Sequence, residues 1–151
     1  MGTPGTVSKI VWVPDAPTEK PVLVIDGSRF GDLDGFAKEF SSFLTDYTWK
    51  GNLDAFNDIL RGGFGTPDGG FELRWLNSEI SRSALGWPAT IARYDRLLQT
   101  CHPDNRIGVK HLLEEARHHR GQTLFDLIVE IIQNHGSGGD EPESGVVLVL
   151  A

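Results

Sequence analysis

The chain has 151 residues, a length that suits one domain built around a single hydrophobic core. Its 14 Lys and Arg residues stand against 21 Asp and Glu residues, and the formal net charge of −7 disfavours direct binding to nucleic acids or anionic membranes and favours a basic partner. The only cysteine, Cys101, excludes an internal disulfide, and no apolar stretch is long enough to span a membrane or resembles a secretion signal. We therefore expect a cytoplasmic protein.

The N-terminal part of the chain predicts one strand and one helix after a first segment whose assignment stays open. Residues 1–20 contain Gly and Pro around the apolar run Ile10–Val13, and this segment is compatible with an extra edge strand or with an ordered arm. Val22–Ile25 is a short continuous apolar run typical of a buried strand. Apolar residues at helical spacing then predict a helix over residues 32–44 with an aromatic core face: Phe30, Leu33, Phe36, Phe40 and Leu44.

The segment from Asn52 to Leu60 predicts a helix with one apolar face and one acidic face. Asp54 and Asp58 stand four residues apart as unpaired carboxylates on the same face, where like charges cost a helix a few tenths of a kcal/mol. Asp54 has a structural explanation, because in the first turn behind an Asn52 N-cap it complements the helix dipole. Asp58 lies beyond that turn and has no basic residue at i+4, although Arg61 follows it by three. Asp58 is therefore the stronger candidate for a function.

The glycine-rich segment 61–70 connects this helix to a predicted strand, Phe71–Leu76. A phosphate-binding loop is disfavoured there, because the Lys-Ser/Thr pair of such loops is missing and a strand follows instead of a helix. We expect Gly62 and Gly63 to adopt positive φ at the end of the acidic helix.

The remaining chain predicts three more helices and a terminal strand. Two helices lie within residues 86–121 and are separated near residues 101–105. Thr123 and Asp126 form a variant capping box that begins the last helix, and the acidic stretch 137–144 leads to the apolar strand Val146–Leu150. Strands joined through helices predict a parallel sheet, because such crossovers bring the strands back in the same sense.

The residues around the acidic helix resemble those of the barstar-type ribonuclease inhibitors. Residues 47–60, Tyr-Thr-Trp-Lys-Gly-Asn-Leu-Asp-Ala-Phe-Asn-Asp-Ile-Leu, combine an aromatic residue, a short polar step, an Asn-Leu-Asp-Ala core and a second Asp four residues after the first. The order of strands and helices is similar to that family as well. The resemblance implies a barstar-like α/β domain over residues 21–151, in which a small parallel sheet of about three strands packs with helices and a helical insertion, 86–121, precedes the last helix.

The same resemblance implies a function. A protein of this kind binds a basic ribonuclease or a related nuclease and blocks its active site with the acidic helix, whose carboxylates take the place of RNA phosphates; immunity against a nuclease toxin is one such role. It is not an enzyme and needs no cofactor or metal. Carried over by position, the partner-binding residues are Trp49, Asn52, Asp54, Ala55, Asn57, Asp58, Gly62 and, on the last helix, Glu130. Asn57 and Gly63 stand where barstar has large aromatic residues, which leaves the identity of the target nuclease open.

Two other functions stay open at the level of the sequence. Histidines and glutamates from His111 to His119 could form the site of a small metal-dependent hydrolase, although their spacing does not match His-Glu-x-x-His. Cys101 beside His102 lacks a third, orienting group for nucleophilic catalysis. The chain could also use a barstar fold as an interaction module for a partner that is not a nuclease. Metal analysis of the purified protein would separate the hydrolase from the two binding functions.

Overall fold

The computed structural model describes residues 20–151. The segment 1–20, for which the sequence allows an edge strand or an arm, lies outside the described residues except for Lys20, whose ammonium group donates to the carbonyl oxygen of Gly145 at 2.6 Å. The assignment of this segment stays a prediction, and so does the division of the chain into an N-terminal segment, a domain and an insertion.

A three-stranded parallel sheet lies at the centre of the fold, as the sequence predicted. Its strands are β1 (Val22–Asp26), β2 (Phe71–Leu76) and β3 (Val146–Leu150), in the spatial order β1-β2-β3. Helices occupy both connections between successive strands. The parallel sense follows from these connections, because a parallel neighbour can be reached only by a crossover.

The two faces of the sheet differ in burial. Phe71, Leu73 and Trp75 of β2 are buried on the face against which the helices pack. Glu72 and Arg74 point to the opposite face, where they form an ion pair with 2.5 Å between Oε2 and Nη2. Alternation of buried and exposed side chains along β2 therefore directs Phe71, Leu73 and Trp75 into one core.

Six α-helices accompany the sheet within residues 20–151: α1 (Leu33–Ser41), α2 (Leu53–Arg61), α3 (Ser78–Ala84), α4 (Trp87–Thr100), α5 (Arg106–Arg117) and α6 (Leu124–Asn134). None of these helices is long and apolar enough to cross a membrane. The sequence predicted all of them except α3, which is short, rich in serine and begins without a side-chain cap, so that it carries no start signal. α1 ends earlier than predicted, because the chain after Ser41 continues in turns closed by bonds between residues three apart.

An aromatic cluster joins α1, α2 and the sheet. Phe36 and Phe40 are fully buried, which confirms the predicted core face of α1. Trp49 stacks on Phe56 of α2 with ring centroids 4.5 Å apart, and Phe36 stacks on Trp75 of β2 at 5.0 Å. Each such pair contributes about 0.5–1.5 kcal/mol beyond the burial of its area. These rings hold α2 in a fixed position relative to the sheet.

The helices α4 and α5 pack on each other and confirm the two helices predicted for this segment. Tyr94, Leu113 and Ala116 form a small second core between them. Beside this core the indole of Trp87 stacks on the imidazole of His119, with centroids 5.3 Å apart and ring planes 2° from parallel. The helix pair thus has a core of its own.

A buried hydroxyl group attaches α4 to α6. Thr90 is 1% exposed, and its hydroxyl donates to the carbonyl oxygen of Gly86 at 2.7 Å and accepts from the backbone N–H of Leu124 at 2.7 Å. Leu124 is the first residue of α6, so this bond satisfies one of the N–H groups that have no partner inside their own helix.

Replacing this hydroxyl tests its contribution to stability. Thr90→Val keeps the shape of the side chain but leaves the N–H of Leu124 buried without an acceptor, and we expect the free energy of unfolding to fall by about 1–3 kcal/mol. Urea denaturation measures the change. The matched control is Thr100→Val, in which an exposed hydroxyl bonded to the carbonyl oxygen of Arg96 is lost and the effect should stay within about 0.5 kcal/mol. Equal effects at the two positions would contradict the attachment.

Candidate partner-binding surface

α2 begins and ends as its sequence predicts. Asn52 is the N-cap, and its Oδ1 accepts from the backbone N–H of Ala55 at 2.9 Å. Gly62 and Gly63 end the helix at φ values of 110° and 93°, a region that favours glycine. The apolar face is buried throughout: Leu53, Phe56, Ile59 and Leu60. The helix is therefore anchored through one face, and Asp54 and Asp58 are exposed on another.

Trp49 fixes the start of α2 from inside the core. Its side chain is 2% exposed, and its Nε1–H donates to the carbonyl oxygen of Asn52 at 2.8 Å. The backbone N–H of Trp49 donates to Ser41 Oγ at 2.9 Å, which ties the same residue to the end of α1. The sequence placed Trp49 among the partner-binding residues. Its indole does not reach the surface, so what it can contribute to binding is the position of Asn52.

An ion-pair network surrounds Asp58. Asp54 and Asp58 are both exposed on α2, but Asp58 is not unpaired, because the Nη1 of Arg61 donates to its Oδ1 at 2.5 Å. The same guanidinium donates from Nε and Nη2 to the two carboxylate oxygens of Glu141 at 2.7 and 2.9 Å. Hydrogen bonding between these two groups raises the pKa of Arg61 and lowers the pKa of Glu141. Arg61 therefore stays charged and links α2 to the loop before β3.

A second arginine lies near the other carboxylate. Burial of Arg93 on α4 lowers its pKa, and attraction to Tyr94 and then to Asp54 acts in the opposite direction. The charge of Asp54 is thus close enough to that of Arg93 for the two to interact. Among the described residues no ion pair joins Arg93 to Asp54, so α4 contributes only a longer-range attraction to this carboxylate, unlike the direct contact of Arg61 with Asp58.

A buried histidine joins α2 to the chain beyond α6. His135 has no exposed surface; its Nε2 lies 3.0 Å from Asn57 Oδ1, and its Nδ1 lies 2.9 Å from Ser144 Oγ. The sequence analysis did not single out His135. A signal was present, because His135 continues the buried stripe of Ile128 and Ile132 by one more helical turn.

The predicted partner-binding residues do not all lie together. Six of them form one continuous surface along α2: Asn52, Asp54, Ala55, Asn57, Asp58 and Gly62. Glu130 lies on the exposed side of α6 and accepts from Gln122 Nε2 at 3.0 Å. Because it precedes His135 by five residues, its side chain points about 140° away from that histidine around the helix axis. The role of each residue in partner binding stays a prediction.

The residues of the alternative hydrolase site have other contacts. Within the part of the chain that the structure describes, no three His, Cys, Asp or Glu side chains lie close enough together to hold a metal ion. His118 Nδ1 lies 2.9 Å from the carbonyl oxygen of Glu114, and His119 stacks on Trp87. The structure does not bring the candidates between residues 111 and 119 together as a ligand set.

Fold and surface together define a small α/β domain in which a capped helix exposes two aspartates. Comparison with known protein families gives the more particular result: the family described as Barstar (barnase inhibitor) matches residues 20–131, from just before β1 to the last turn of α6. The chain belongs to the barstar family, a family of ribonuclease inhibitors. The resemblance of residues 47–60 to that family is thereby confirmed. Curated proteins and solved structures gave no significant match.

The buried imidazole predicts a pH-dependent stability. Burial lowers the pKa of His135, and the neighbouring charge of Arg61 adds to this effect, whereas Glu141 and Glu143 oppose it. The unfolded chain therefore binds a proton at His135 first, near pH 6.5. The contribution of His135 to stability is fully present above about pH 6.5. It is lost as the pH falls from there through the lower pKa of His135 in the folded protein.

Urea denaturation between pH 7.5 and pH 5, values chosen to bracket about 6.5, measures this loss. His135→Gln keeps an N–H donor but does not titrate, so the free energy of unfolding should fall less steeply with decreasing pH than in the parent protein. His102→Gln replaces an exposed histidine and serves as the matched control, with the parent slope expected. Identical slopes for all three proteins would contradict a buried neutral imidazole in the folded state.

Proposed function

We propose that the protein is a cytoplasmic inhibitor that binds a basic ribonuclease through the exposed face of α2 and so blocks the enzyme's active site. An immunity role against a nuclease toxin is part of the proposal. One observation carries it: in a member of the barstar family, Asp54 and Asp58 stand side by side on the exposed face of a helix whose other face is completely buried. The two carboxylates are thus presented on a rigid support.

The carboxylates can replace RNA phosphates by simple chemistry. A ribonuclease active site binds the phosphates of RNA with Arg, Lys and His side chains, and a carboxylate accepts two parallel hydrogen bonds from an arginine in the same way. Asp54 and Asp58 are one helical turn apart, about 5–6 Å between Cβ atoms. The net charge of −7 adds long-range attraction to a basic enzyme.

The arginines of the inhibitor itself are compatible with this binding. Arg61 makes two hydrogen bonds to Glu141 and one to Asp58. A cation of the enzyme can therefore take over Asp58 while Arg61 keeps its second partner. The bond between Arg61 and Asp58 holds the carboxylate in one orientation before the enzyme arrives, which reduces the entropy that ordering would cost on association.

Inhibition assays with purified proteins test the proposal directly. The protein is titrated into a panel of basic microbial ribonucleases that includes barnase, and RNA cleavage is followed. For its target enzyme, activity should fall in proportion to added inhibitor and end at one equivalent, because an active-site block is tight and stoichiometric. Absence of inhibition and of complex formation across the panel would argue for the interaction-module alternative instead.

Asp58 should matter more for binding than for folding. Asp58→Ala leaves Arg61 bonded to Glu141, so we expect the free energy of unfolding to change by no more than about 0.5 kcal/mol. Binding to the inhibited ribonuclease should weaken by about 2–5 kcal/mol, mostly through faster dissociation, because a desolvated cation of the enzyme loses its partner. This range is typical of charge pairs in interfaces, including those of barnase and barstar.

Glu79→Ala is the matched control for Asp58→Ala. Glu79 is an exposed carboxylate that pairs with Arg82 three residues on, in the same helical arrangement as Asp58 and Arg61, but on α3. Its removal should leave dissociation unchanged. If Asp58→Ala dissociates as slowly as Glu79→Ala, α2 is not the inhibitory helix.

Association should depend strongly on salt. An acidic inhibitor and a basic enzyme attract each other over a Debye length of about 8 Å at physiological ionic strength, and added salt shortens this range. We expect the association rate constant from stopped-flow experiments to fall as the salt concentration rises, with a smaller change in the dissociation rate constant. An association rate that is independent of salt would exclude electrostatic steering.

A further inference from the structure

The hydrogen bonds of Asn57 leave one side of its amide free. Asn57 lies half-buried on α2 beside Asp54 and Asp58, on the side of the helix that faces His135. Its Oδ1 is the atom that meets the imidazole, 3.0 Å from Nε2. Within residues 20–151, no acceptor forms a hydrogen bond with Asn57 Nδ2. Among the described residues, the amide nitrogen is thus the end of this side chain without a protein partner.

The orientation of the amide determines the tautomer of the imidazole. An amide oxygen can only accept, so Nε2 of His135 must carry a proton and donate to Asn57 Oδ1. Nδ1 of the neutral ring is then an acceptor, and the Ser144 hydroxyl 2.9 Å away donates to it. His135 has no exposed surface, so water does not compete for either ring nitrogen. In this series of hydrogen bonds, Ser144 donates to His135 and His135 donates to Asn57.

We propose that His135 is a positioning residue for partner binding, which turns the amide nitrogen of Asn57 outward so that the edge of the acidic face presents a hydrogen-bond donor. The partner then carries an acceptor at this point, such as a backbone carbonyl oxygen, next to the cations that meet Asp54 and Asp58. This inference rests on the proposed function, because it concerns the same face of α2.

An outward donor would give specificity that charge alone does not provide. Many basic surfaces can approach two carboxylates, but only a partner with a correctly placed acceptor can satisfy the amide when water is excluded from the interface. A partner without that acceptor leaves a buried N–H group unpaired and is bound less tightly. Asn57 therefore selects among basic enzymes.

The orientation can be tested in the free protein. A long-range nitrogen–proton correlation spectrum of the imidazole at pH 7.5 distinguishes the two neutral tautomers. We expect the proton of His135 on Nε2. A proton on Nδ1 would overturn the inference, because Asn57 would then have to donate to the ring and present its oxygen to the partner. This measurement needs no partner and is independent of the proposed function.

The decisive binding test is Asn57→Asp, measured with barnase or whichever ribonuclease of the panel is inhibited. The carboxylate keeps an oxygen that accepts from His135 but replaces the outward N–H donor by a second acceptor and adds a negative charge. We expect dissociation about tenfold faster, even if the added charge speeds association. Dissociation as slow as in the parent protein, or slower, would show that the face is recognised by charge alone and would overturn the inference.

Three further variants separate the possible causes. Gln99→Glu makes the same change from amide to carboxylate at an exposed position of α4, outside the predicted partner-binding residues, and should leave dissociation unchanged. His135→Leu removes the donor and should speed dissociation, whereas His135→Gln restores an N–H and should recover slow dissociation at pH 7.5; failure of this rescue in a folded protein would count against positioning. Asp58→Ala tests the proposed function itself. If it abolishes tight binding while Asn57→Asp does not weaken it, the proposed function stands and the positioning role of His135 falls.

Discussion

The indole ring of Trp49 controls where α2 begins and how it is oriented. It stacks on Phe56 inside the helix, and its N–H holds the carbonyl oxygen of Asn52 at the cap, so one rigid ring fixes two points of the same helix. The ring is enclosed by the aromatic residues of α1, which connects the helix position to the sheet. The acidic face therefore moves only together with the core. A surface of this kind loses little conformational freedom when a partner binds.

Charge on α2 has defined positions and is partly balanced within the protein. Asp58 and Asp54 would repel each other as a bare pair, but Arg61 binds Asp58, and a longer-range attraction acts between Arg93 and Asp54. The surface stays acidic, because Glu141 brings a further carboxylate to the same end of the helix. Asp58 is held by a hydrogen bond from Arg61, and Arg61 also makes two hydrogen bonds to Glu141.

Local signals in the sequence were sufficient for most of the fold and for the identity of α2. Hydrophobic periodicity and the Asn52 cap act over a few residues, so they can be read without the structure. The contacts that orient the acidic face could not be predicted in this way. Glu141 follows Arg61 by 80 residues and His135 follows Asn57 by 78, and only the folded sheet brings them together. The sequence analysis also missed α3 and the burial of Trp49, because tertiary packing decides both.

The loop before β3 has a consequence for how such inhibitors can diverge. The imidazole of His135 contacts Asn57, and the carboxylate of Glu141 contacts Arg61. These two side chains of the loop need not touch a partner themselves. Substitutions there can rotate an amide or release an arginine while every residue on the exposed face of α2 stays the same. If α2 is the partner-binding helix, as we propose, two relatives with identical α2 sequences can differ in the partner they bind. A substitution of His135 or Glu141 then changes the surroundings of Asn57 or Arg61 while Asp54 and Asp58 stay in place.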